Sequence, residues 1–166
     1  MSQMLDKKKF RLPKNASPTK YKIELHPDLE AKAFEGKVEI LLNILEESKN
    51  ISINVADLEI KTIILKKNSA EIDNSISWNI DNDYEIMSIN FEKPISIGEY
   101  SLSIGFSGIL NDKLRGFYHS SFKDHNGNIQ SIATTQFEST DARRAFPCFD
   151  EPEYKSVFSV SLILEN

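Results

Sequence analysis

Phe34-Glu35-Gly36-Lys37-Val38-Glu39-Ile40-Leu41-Leu42-Asn43-Ile44 decides the fold class of this chain. The apolar residues Phe34, Val38, Ile40, Leu42 and Ile44 share one parity. Successive side chains of a strand point to opposite faces, so this spacing buries one face and wets the other. A helix would place its apolar residues three and four apart instead.

The same period continues outward in both directions. Tyr21, Ile23 and Leu25 alternate with Lys20, Lys22 and Glu24, and Ile51, Ile53 and Val55 repeat the pattern. Leu58 to Leu65 is a further apolar segment. Trp78 and Ile80, then Met87, Ile89 and Phe91, then Tyr100, Leu102, Ile104 and Phe106 carry the alternation on, and Phe158, Val160, Leu162 and Leu164 form the last strand. Turn signals stand between them at Pro27-Asp28, Phe34-Glu35-Gly36, Asp81-Asn82-Asp83, Gly98 and Asn126-Gly127. Asn126-Gly127 favours a tight hairpin, because both positions tolerate positive φ. Asn68 to Asn82 reads as a long polar hairpin. About nine short strands without helical crossovers predict an all-β, antiparallel β-sandwich.

A length of 166 residues suits one domain with a proper core. Residues 1–18 read as a partly flexible leader broken by Pro13 and Pro18, and residues 19–166 as the sandwich domain. The net charge of −5 opposes nucleic-acid and anionic-membrane partners, which need clustered Lys and Arg. The basic run Lys7-Lys8-Lys9 reads as a solvated tail. No apolar run approaches the roughly 20 residues of a membrane span. A single cysteine excludes an internal disulfide and a Cys-based zinc site. Cys148, between Pro147 and Phe149, reads as a small buried hydrophobe. Together with the missing signal-peptide hydrophobic region, it points to the reducing cytoplasm.

The histidines His26, His119 and His125 form no His-Glu-x-x-His pair and read as turn or strand-end residues, so no metal site is expected in this chain. A Gly-x-Ser-x-Gly elbow and a phosphate-cradling Gly-rich loop are both missing, and no catalytic residue is assigned.

One stretch obeys neither period. Gln136-Phe137-Glu138-Ser139-Thr140-Asp141-Ala142-Arg143-Arg144-Ala145-Phe146-Pro147-Cys148-Phe149-Asp150-Glu151-Pro152 mixes aromatics, prolines and charges. Its aromatic content argues against a merely solvated loop. Thr134, Gln136 and Glu138 share one strand parity, and Ser139-Thr140-Asp141 is expected to cap a short helical turn from Ala142 to Ala145. Arg143, Arg144 and Asp150 are expected to brace the loop in an ion-paired turn closed by Pro147 and Pro152. Upstream, Leu114-Arg115-Gly116-Phe117-Tyr118 reads as a strand entered through a glycine bulge.

These two stretches resemble the N-terminal domain of the zinc-dependent aminopeptidases of the puromycin-sensitive and aminopeptidase N type. Arg11-Leu12-Pro13 with Pro18-Thr19-Lys20-Tyr21, and Phe34-Glu35-Gly36-Lys37-Val38, are similar to that family's opening and second strand. The resemblance implies a saddle-like β-sandwich that leans over a separate catalytic domain. It implies that Glu138 binds the free α-amine of a peptide substrate, that Gln136 lines the pocket for the first side chain, and that the Glu138-Ser139 bond is cis. Zinc is implied in the parent enzyme but not in this chain, which lacks the zinc helix and the Gly-Ala-Met-Glu-Asn loop. The implied partners are peptides, through their free N-termini, and the catalytic domain.

The isolated chain is therefore expected to be inactive. Strands implied beyond Asn166 make an unpaired edge or an uncovered apolar face an expected liability. One rival is a free-standing β-sandwich interaction module, distinguished by whether the reading frame continues into His-Glu-x-x-His. Another is a self-contained hydrolase using His119 or His125, which aminoacyl reporter substrates would reveal.

Overall fold

The structure, a computed structural model, describes residues 11–164. The Lys7-Lys8-Lys9 tail lies outside them. Among the described residues the strands are β1 (Ala16–Asp28), β2 (Ala33–Ile44), β3 (Ser48–Asn54), β4 (Leu58–Lys67), β5 (Ala70–Glu71), β6 (Ile76–Asp81), β7 (Ile86–Ile95), β8 (Gly98–Ile109), β9 (Gly116–Lys123), β10 (Ile129–Gln136) and β11 (Val157–Leu162). A short 3-10 helix, Ala142–Arg144, follows β10. The fold is all-β.

Six strands form the main sheet in the order β11-β1-β2-β8-β4-β5, and three form a second sheet in the order β3-β7-β6. The neighbours are antiparallel except β1 and β11, which run parallel. The parity residues of both sheets meet in one buried cluster: Tyr21, Ile23 and Leu25 of β1, Val38, Ile40 and Leu42 of β2, Ile51 and Ile53 of β3, Met87 and Ile89 of β7, and Leu102 and Ile104 of β8. Each such side chain contributes about 1.5–3 kcal/mol by leaving water, which is why the alternation is kept so strictly. The hairpin β9–β10 stands apart from both sheets.

Several expectations change in detail. Phe34-Glu35-Gly36 is not a turn, since Gly36 lies inside β2. A Cβ there would fall 2.5 Å from Phe106 Cζ, so the glycine is a hole filled by the cross-strand ring. Gly108 repeats the arrangement beneath Phe34. The register of β4 slips between Ile60 and Thr62. That bulge switches the inward parity and explains an apolar run without a clean period. The long polar hairpin from Asn68 to Asn82 is instead two features: a tight turn at Asn68-Ser69, both at positive φ, and then β6 in the other sheet. At the β9–β10 turn only Gly127 takes positive φ (+84°), while the Asp124 carboxylate accepts the N–H groups of Asn126 and Asn128.

The leader boundary also moves. Leu12 is buried and β1 already begins at Ala16. Leu12 N–H donates to Glu151 Oε1 at 2.6 Å, and Arg11 pairs with the other oxygen of Glu151 at 3.0 Å. Pro13 therefore ends no structure. It belongs to a segment pinned by the Glu151-Pro152-Glu153 turn. At the opposite edge of β1, Phe158 stacks on Tyr21 at 4.7 Å, but Val157, Phe158, Val160 and Leu162 of β11 are exposed, as are Ile163 and Leu164 beyond it.

Candidate functional site

The loop from Gln136 to Pro152 is built by the strands on either side of it. β10 ends at Gln136, which pairs with Gly116 of β9. The chain then turns, and Asp141 N–H donates to the Phe137 carbonyl at 3.0 Å. Glu138, Ser139 and Thr140 lie inside that turn, so Glu138 belongs to the turn and not to the strand whose parity it shares. The Glu138-Ser139 peptide bond is cis. The Phe137 ring is half-buried and meets Phe146 edge-on at 5.9 Å, and this contact holds the turn down on the apolar part of the loop.

Gln136 and Glu138 are both exposed. Among the described residues Glu138 makes no hydrogen bond or ion pair. A helical turn follows as expected, but only as three residues of 3-10 helix. Asp141 stands at its N-cap without a capping bond, because its carboxylate accepts Arg144 Nε at 2.8 Å instead.

The structure brings Arg143, Arg144 and Asp150 into one network with residues the sequence did not single out. Arg143 is 8% exposed. Its Nε donates to Asp150 Oδ2 at 2.9 Å and its Nη1 to Glu85 Oε2 at 3.2 Å. Arg144 donates to the other oxygen of Glu85 and, through Nη1, to Asp57. Burial works against the Arg144 charge, but the hydrogen bond to Asp141 and the charges of Glu85 and Asp57 outweigh it and hold its pKa above the ordinary arginine value. Two guanidiniums thus sit among four carboxylates, a cluster with excess negative charge.

Backbone pairing locks this network to the second sheet. Asn54 N–H donates to the Cys148 carbonyl at 2.7 Å, and Cys148 N–H returns to Asn54 at 3.1 Å. Asn54 Oδ1 accepts Asp150 N–H at 3.0 Å, and Ala56 N–H reaches the Arg143 carbonyl. Cys148 is buried, and burial followed by the charge of Asp150 pushes its thiol well up, so it is a protonated packing residue. Gly116 has φ +70° and lies against Arg144, where an added Cβ would come within 2.6 Å of the arginine Cβ. The glycine before Phe117 is therefore required both by its own backbone and by the arginine packed on it.

Sequence reasoning missed Glu85, Asp57 and Asn54. The first two sit in turns at positive φ, where no period or motif marks them. The loop carries carboxylates enough to match its two arginines, so no charge imbalance in the sequence pointed to Glu85 or Asp57.

The histidines are not gathered. His26 contacts Glu24 at 3.2 Å, His119 contacts Ser131 at 3.2 Å, and His125 lies in the β9–β10 turn. Among the described residues no three His, Cys, Asp or Glu side chains are arranged to hold a metal ion. No helix among them is long and apolar enough to cross a membrane. A broad open concavity of about 1190 Å³ is lined by His26, Asp28, Glu35, Asp57, Glu59 and Ile109, among others, but not by Gln136 or Glu138. The exposed carboxylate of Glu138 thus stands outside that concavity.

Residues 17–166 match the family described as the peptidase M1 N-terminal domain. The chain belongs to that family. It is 40% identical over 156 residues to "Puromycin-sensitive aminopeptidase" of Caenorhabditis elegans, covering 94% of this chain and 16% of that protein. It is 39% identical over 155 residues to "Aminopeptidase M1" of Arabidopsis thaliana, covering 92% of this chain and 18% of the relative. It is 41% identical over 161 residues to "Alanine/arginine aminopeptidase" of Saccharomyces cerevisiae, covering 93% and 18%. This peptidase M1 N-terminal domain therefore spans less than a fifth of the length of these relatives.

Proposed function

We propose that this domain serves an aminopeptidase as the anchor for the free N-terminus of a peptide substrate, with Glu138 as the anchoring carboxylate and Gln136 as one wall of the pocket for the first side chain. The observation that carries this reading is the contrast within one loop. Arg143, Arg144, Asp150 and Asp141 are committed to each other and to Glu85 outside the loop, while Glu138 is exposed and bonded to nothing among the described residues. A loop this heavily braced around a free carboxylate suits a group that must be held still for a ligand.

The chemistry of the ligand follows. A peptide N-terminus has a pKa of about 7.7–8.0, so it is largely an ammonium near neutral pH. A fixed carboxylate offers it a charge-assisted hydrogen bond of about 1.5–3 kcal/mol. The excess negative charge of the neighbouring cluster adds attraction for a cation. Anchoring the amine fixes its distance to the first peptide bond, so the enzyme would cut after one residue and reject blocked ends.

Bond cleavage, and the zinc that the resemblance implies for it, fall to residues other than those described, and the domain alone would be inactive. Its partners would be peptides and a catalytic domain, and its compartment the cytosol. The names of the relatives, all aminopeptidases, support the enzyme class. A related yeast protein carries the name "Aminopeptidase 2, mitochondrial".

The test is Glu138→Ala in the full-length protein that carries this domain. The reading expects kcat/KM on unblocked peptides to fall at least about tenfold with metal content unchanged. Unchanged kinetics would remove the assigned role.

A further inference from the structure

We propose that Glu85 is the positioning residue of the Glu138 anchor, an inference that rests on the function proposed above. Glu85 lies on the turn between β6 and β7, more than fifty residues before the loop it serves. Its own backbone is held: φ is +54°, and its carbonyl accepts Val55 N–H at 3.0 Å and Asn54 Nδ2 at 3.5 Å. Its side chain is divided between consecutive arginines, one carboxylate oxygen taking Arg143 and the other taking Arg144.

The connection to Glu138 is short and continuous. Arg144, fixed by Glu85 and Asp57, grips Asp141 through Nε at 2.8 Å. Asp141 N–H closes on the Phe137 carbonyl at 3.0 Å, and Glu138 is the next residue inside that closed turn. The same arginine rests against Gly116, the cross-strand partner of Gln136. Arg144 therefore reaches the turn of the anchor through its guanidinium and Gly116 only through its Cβ and backbone, and Glu85 bridges that guanidinium to Arg143. A guanidinium fork needs an acceptor at each prong to hold one orientation. With Glu85 neutral, Arg144 retains Asp141 and the exposed Asp57 but loses its charged tie to the second sheet, and the Glu138 carboxylate is no longer set to the substrate's amine distance.

The experiment uses the full-length protein and a double-mutant cycle on peptides with a free amine. Glu85→Gln keeps the shape of the side chain and removes its charge. It is expected to lower kcat/KM about tenfold, mainly through KM, because amine binding is shared by ground and transition states. In the Glu138→Ala background the same substitution is expected to change kcat/KM less than about twofold, since an anchor already removed cannot be misplaced. A merely structural role would give the same loss in both backgrounds, and that result overturns the inference, as does full activity of Glu85→Gln. Should Glu138→Ala alone leave kinetics unchanged, the anchor reading itself fails and the positioning role goes with it. Glu85→Asp serves if the glutamine variant does not fold. It keeps the charge on a shorter arm, and the same dependence on Glu138 is expected.

Discussion

The Tyr21 hydroxyl accepts the Phe149 backbone N–H at 3.1 Å and so joins the first strand to the last loop across 128 residues of sequence. Tyr21 is 1% exposed, so water cannot replace the bond. Tyr21→Phe leaves that N–H unpaired in the core and should cost about 1–3 kcal/mol. Urea unfolding should show a lower midpoint at an unchanged slope. An unshifted midpoint would mean the N–H finds another acceptor.

Alkaline pH should destabilise the fold through two buried groups. Burial first, and then the neighbouring Cys148, push the Tyr21 phenol far above its ordinary value of 10.0, and burial likewise raises the Cys148 thiol above 9.0. The unfolded chain releases these protons first, so above those values it binds fewer protons than the folded chain. Stability is then fully present below about pH 9 and falls as pH rises beyond it. Cys148→Ala should flatten the decline between about pH 9 and 10. Parallel slopes for the variant and the parent would exclude the thiol as a cause.

Gly36→Ala should destabilise the centre of the main sheet. The new methyl would lie 2.5 Å from Phe106 Cζ and 2.9 Å from Leu25 Cδ2. Overpacking of this kind costs about 1–3 kcal/mol. Calorimetry of Gly36→Ala beside Gly36→Ala/Phe106→Leu should show partial recovery in the double variant. If both melt alike, the ring is not what excludes the methyl.

Arg143→Ala leaves the largely buried Asp150 without its ion-pair partner, while Glu85 keeps Arg144, and breaking such a pair costs about 3–5 kcal/mol. Arg143→Lys keeps the charge but not the fork that reaches Asp150 and Glu85 together. It should recover less than half of the loss when both variants are unfolded in urea. Full recovery by lysine would show that only the charge matters.

The sandwich was legible because its cause is local: a strand with one dry face must alternate, and the sequence from Tyr21 to Phe106 does so. What the sequence concealed was contact between distant residues. Gly36 looks like a turn residue until Phe106 is seen covering it. Pro13 looks like a breaker until Glu151 is seen holding Leu12. Within the loop, Arg143 and Asp150 are seven residues apart, and their pairing could be anticipated. Glu85 and Asp57 lie 59 and 87 residues from Arg144, and no period or spacing connects them. Glu138 merely continues the parity of Thr134 and Gln136, so in the sequence only the resemblance pointed to its proposed role.

The central claim is that Glu138 meets a peptide's ammonium group. A crystal structure of the full-length protein with an unblocked peptide bound tests this most directly. The account predicts the peptide's α-nitrogen about 2.7–2.9 Å from a Glu138 carboxylate oxygen. An α-nitrogen held by other residues, with Glu138 facing solvent, would contradict it.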